Sequence, residues 1–106
     1  VTPLAAAVDA ARSPPPDAGY AVDSRIVTDA QAVAACLRIA NERRVLVEPS
    51  CGAALVPAYA PDLLPGVFDG CRTVVIQVCG GAVVDLPKLL QWAKDLGVDP
   101  LASRGE

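Results

Sequence analysis

The stretch TVVIQVCGGAVVDL, residues 73–86, runs from apolar β-branched residues into Cys79-Gly80-Gly81, and a helix signal follows. In an open α/β sheet, ligands bind outside the carboxyl ends of the strands. Two glycines let a backbone approach a flat ligand closely. Cys79 places a weak S–H donor or acceptor at that edge, suited to the ring nitrogen of a heteroaromatic group. A buried cysteine at a tight turn accounts for the same residues, and spacing alone favours that plainer reading. A second strand end, Glu48-Pro49-Ser50-Cys51-Gly52-Ala53-Ala54, also runs into a helix start. Free N–H groups there favour anions. Here too a well-capped helix packed close to a sheet suffices for the pattern taken by itself.

Other chemistry is excluded by what is missing. The sequence has no histidine, so a Ser-His-Asp triad cannot form. Neither a P-loop nor a GxGxxG fingerprint occurs. The cysteines, Cys36, Cys51, Cys71 and Cys79, form no CxxC pair, which argues against a zinc site. Cys36 and Cys79 sit in apolar surroundings and read as buried free thiols. Lys88 and Lys94, the only lysines, fall on the last predicted helix and read as solvated. A net charge of -3 argues against nucleic-acid binding, and the basic pair Arg43-Arg44 reads as a helix end. No run of 18 or more apolar residues suggests a membrane span. With no visible signal peptide, a reducing, cytoplasmic location is expected. The sequence contains no methionine, and it reads as starting inside a larger protein.

The elements that must position these residues alternate. Residues 3–11 are alanine-rich and predict a helix, and the proline run at 14–16 predicts a loop. Residues 20–27 have partial strand character. Thr28 with Gln31 fits a capping box for a helix ending near Glu42 or Arg43, with Val33, Ala34, Leu37 and Ala40 as its apolar stripe. Residues 45–47 predict a short strand. Ser50 is the expected N-cap of the next helix, which Pro57 should kink and Pro61 should stop. Residues 61–72 read as a surface loop. Residues 73–78 predict a strand apolar on both faces apart from Gln77, as in the middle of a parallel sheet. Asp85 caps a last helix from Leu86 to Leu96 with Leu86, Leu89, Leu90, Ala93 and Leu96 as its buried face and Gly97 as its C-cap. The order predicts an α/β fold with a parallel sheet.

Together, VLVEPSCGAAL, TVVIQVCGG and DLPKLLQWAKDLG resemble the C-terminal part of the L-serine dehydratase (serine ammonia-lyase) family, with its threonine-active relatives. VTDAQAVAACLRIANERR also looks like that family's preceding helix. The resemblance implies part of the parallel-sheet domain of a tryptophan-synthase β-like, fold type II enzyme using pyridoxal 5'-phosphate. Residues 1–106 would then be an incomplete C-terminal portion of a dehydratase domain. The implied reaction is β-elimination, turning L-serine into pyruvate and ammonia, or L-threonine into 2-oxobutyrate. The implied cofactor-binding residues are Cys79, facing the pyridine nitrogen, with Gly80 and Gly81 in the turn and Glu48 lining the same cleft. The family's Schiff-base lysine, substrate loop and phosphate cradle have no counterpart here, so no catalytic residue is expected in the chain, and the chain alone is expected to be inactive. The implied partners are a small amino-acid substrate, the missing N-terminal part and, in a homodimer, a second copy. Ala82-Val83 replaces the family's usual polar pair after C-G-G, and Pro57 is unusual. These departures keep an alternative open: a non-catalytic or regulatory relative, or a subunit completing a partner's fold.

Overall fold

The computed structural model describes residues 19–100. The alanine-rich segment 3–11 and the proline run at 14–16 lie outside the described residues. Helix α1, Asp29–Arg43, starts at the predicted capping box: Thr28 Oγ1 accepts from Gln31 N–H and Gln31 Oε1 accepts from Thr28 N–H. It ends where Arg44 takes a left-handed conformation, φ 58°, and returns its N–H to Ala40. Helix α2, Pro49–Tyr59, packs along α1, and a 3₁₀ turn at Pro61–Leu63 follows it. Helix α3, Leu86–Leu96, is capped by the Asp85 carboxylate on Lys88 N–H at 2.8 Å and closed by Gly97 at φ 71°. The core joins Val33, Cys36 and Leu37 of α1 to Val47, Leu55 and Val56, and to Leu89 and Ala93 of α3. Full burial of each Leu or Val contributes about 1.5–3 kcal/mol.

Several expectations change. The N-cap of α2 is Glu48 rather than Ser50. Pro49 fits the first helical position because its fixed φ suits the helix and its missing N–H is no loss there. The helix therefore starts earlier, and Cys51 and Gly52 N–H both reach Glu48 O at 2.9 Å. Pro57 is carried inside α2, which continues to Tyr59. Arg38 supports that end: its guanidinium donates to Tyr59 O at 3.2 Å and lies 4.4 Å from the ring centroid. Of the stripe on α3, Leu89 and Ala93 are fully buried, but Leu86, Leu90 and Leu96 are exposed. The stripe is wider than the surface that covers it.

The largest difference is the sheet. Among the described residues no strand forms at 20–27, 45–47 or 73–78, and all the regular elements are helical. Val75 is 87% exposed, and Val74 and Val78 are exposed beside it. A strand apolar on both faces needs neighbours along both edges and layers on both sides. Segment 73–81 touches 45–48 at its far end, through Glu48 N–H to Gly80 O at 3.1 Å, and that single bond is no ladder. Cys79, expected to be a buried thiol, is exposed, while Cys36 is buried as expected.

Candidate functional site

The backbone of Glu48 is the hub of the corner where the two motifs meet. Its N–H donates to Gly80 O, and its carbonyl accepts from Cys51 and Gly52 N–H and, at 3.3 Å, from the Cys36 thiol. That carbonyl opens α2, so the helix start and the end of segment 73–81 are fixed to the backbone of one residue. Cys79 N–H in turn donates to Cys51 Sγ at 3.2 Å. Gly81 O accepts from Val84 N–H at 3.0 Å and turns the chain toward α3. Glu48, Cys79, Gly80 and Gly81, the residues singled out in the sequence, therefore share one corner.

The glycines there differ in role. A Cβ on Gly81 would strike the Leu46 carbonyl and lie 2.9 Å from Val84 Cγ1, so Gly81 is what lets the two segments approach. A Cβ on Gly80 would meet nothing within 4 Å: the space over that peptide is open. Gly52 is buried, and a Cβ there would strike Ala32 O and Cys36 Sγ, so its bareness serves the α1–α2 contact. Cys51 is buried as well. The helix start thus presents packing atoms to the corner, and the open edge is left to Cys79 and Gly80, both exposed.

Burial raises the Cys36 thiol to about 11, with the neighbouring Cys51 adding to the effect. Cys36 therefore stays protonated and donates. Its position beside the α1 stripe was legible in the sequence, but its bond to Glu48 O was not, because nothing local couples residues twelve apart. Lys88 and Lys94 are both exposed on α3, as expected, and Lys88 Nζ donates to Val83 O at 3.2 Å. Among the described residues no cluster of three or more His, Cys, Asp or Glu could hold a metal ion. Nor is any helix among them long and apolar enough to cross a membrane.

The corner can therefore offer a thiol at an exposed edge, with clear space over the next peptide. No protein-family profile matches the chain, and no solved structure does. Curated sequences do. An L-serine dehydratase/L-threonine deaminase of Bos taurus is 34% identical over 88 residues, 78% of this chain. An L-serine dehydratase of Dictyostelium discoideum is 41% identical over 62% of it. The chain is a homologue of the L-serine dehydratases. A human serine dehydratase-like protein is 36% identical over 72% of the chain. The chain spans 27%, 20% and 25% of the lengths of these dehydratase relatives, in the order given.

Proposed function

We propose that this chain is the C-terminal portion of a pyridoxal-phosphate-dependent dehydratase. The full-length enzyme would deaminate L-serine to pyruvate and ammonia, and L-threonine to 2-oxobutyrate. The reading is carried by the 34% identity to the bovine L-serine dehydratase/L-threonine deaminase across 78% of the chain. It is supported by the exposed Cys79–Gly80 edge and by the apolar surface of residues 74–78, which further strands of a fold type II sheet would cover.

When bound, pyridoxal phosphate supplies the electron sink for β-elimination. The residues here would hold one edge of it. Cys79 would present its thiol to the pyridine nitrogen, a neutral partner that does not enforce a protonated ring. Gly80 would leave room for the ring plane, and Gly81 would keep the turn pressed against Leu46. Glu48 would act through its backbone, holding the edge in register with α2. The Schiff-base lysine and the phosphate cradle would come from elsewhere in the longer polypeptide, and a homodimer is the expected assembly.

The test is coupled-assay detection of pyruvate from L-serine and of 2-oxobutyrate from L-threonine, using the native polypeptide that carries this sequence. Keto-acid and ammonia release in equal amounts is expected. A folded, cofactor-loaded polypeptide that releases neither would favour the non-catalytic alternative to which Ala82-Val83 points.

A further inference from the structure

The corner contains a feature that binding one edge of a ring does not require: two cysteines of opposite accessibility in contact. Cys79 is exposed, and Cys51 is 4% exposed directly behind it. Cys51 Sγ lies 3.2 Å from Cys79 N. Two of the three staggered Cys79 rotamers place its own Sγ gauche to that same backbone nitrogen. Cys51 is held by α2, and Cys79 is held beside it through the Gly80 carbonyl bond to Glu48 N–H. The other thiols are less suited. Cys36 is fully buried and donates to Glu48 O, and Cys71 is exposed in the loop before residue 73.

We propose that Cys79 and Cys51 form a reversible peroxide-sensitive pair, with Cys79 the oxidised thiol and Cys51 the resolving thiol. A hydroperoxide oxidises the exposed Cys79: its sulfur gains the terminal oxygen, the O–O bond breaks, and one molecule of water or alcohol leaves. The Cys51 sulfur then attacks the Cys79 sulfenic sulfur. The S–S bond forms as the S–OH bond breaks, and the Cys51 proton leaves with the hydroxyl as water. A dithiol reductant restores both thiols. The pair stands on the geometry of the corner and does not depend on the dehydratase reading. If that reading holds, the cross-link also withdraws Cys79 from the ring nitrogen.

The test uses the native full-length polypeptide treated with hydrogen peroxide, with and without added pyridoxal phosphate. Free thiols are then alkylated, the protein is digested, and the peptides are mapped by mass spectrometry. A peptide pair joining Cys51 to Cys79, reversed by dithiothreitol, retained in Cys71→Ser and lost in Cys51→Ser, is expected. Recovery of Cys79 as sulfinic acid, or cross-linked to Cys71, with Cys51 still a free thiol, overturns the proposal. Protection by the cofactor supports both this pair and the placement of Cys79 at the ring. A cross-link formed equally with and without the cofactor supports the pair and contradicts that placement.

Discussion

At the residue scale, the three glycines of the two motifs separate close packing from open space. Gly52→Ala forces a methyl against the Ala32 carbonyl and Cys36 Sγ, and Gly81→Ala forces one against the Leu46 carbonyl. Backbone atoms cannot step aside as a side chain end can. Each substitution should cost about 1–3 kcal/mol, read as a lower urea midpoint. Gly80→Ala meets open space and should leave the midpoint within about 0.5 kcal/mol, while raising the dissociation constant for pyridoxal phosphate. Cys36 gives a pH prediction. Its folded value, raised from 9.0 to about 11, means that the unfolded chain loses this proton first as pH rises. Stability from this group is complete below pH 9 and is lost between about 9 and 11, by roughly 2 kcal/mol. Urea midpoints across that range should fall, and Cys36→Ala should flatten the fall.

At the element scale, the helices follow from local signals. Thr28 and Gln31 close a reciprocal box, so Thr28→Ala should cost about 1 kcal/mol in a urea titration. Asp85 and Gly97 bound α3 as the sequence predicts, because a carboxylate cap and a left-handed glycine act within a single turn. Ser50 was the misread cap: Pro49 has no N–H to lose and takes the first helical position, so Glu48 becomes the boundary. The sheet was not legible in the same way. β-Branched residues at 73–78 mark a segment that fits a pleated, buried surface, but a ladder depends on partners distant in sequence. The corner was legible only through the family resemblance, which grouped Glu48 with Cys79, Gly80 and Gly81; the backbone contacts of Glu48 that hold it together carry no signal in residue type. The Cys51–Cys79 contact was not, since neither cysteine's own surroundings specify the other.

At the scale of the whole molecule, apolar surface is distributed unevenly. Val33, Cys36, Leu55 and Val56 are buried between α1 and α2, while Val74, Val75, Val78, Leu86 and Leu90 are exposed. A chain spanning 27% of the bovine relative's length and carrying such faces is what one wall of a larger dehydratase would look like. In that setting the exposed Cys79 edge is the part we propose to meet the cofactor. The most direct measurement is the visible absorption spectrum of pyridoxal phosphate bound to the native full-length polypeptide, recorded for the unmodified protein and for Cys79→Asp. A carboxylate facing the pyridine nitrogen would hold a proton there, so the account predicts a shifted cofactor band and a changed rate of pyruvate release from a folded variant. An unchanged spectrum and an unchanged rate in a folded Cys79→Asp protein would contradict it.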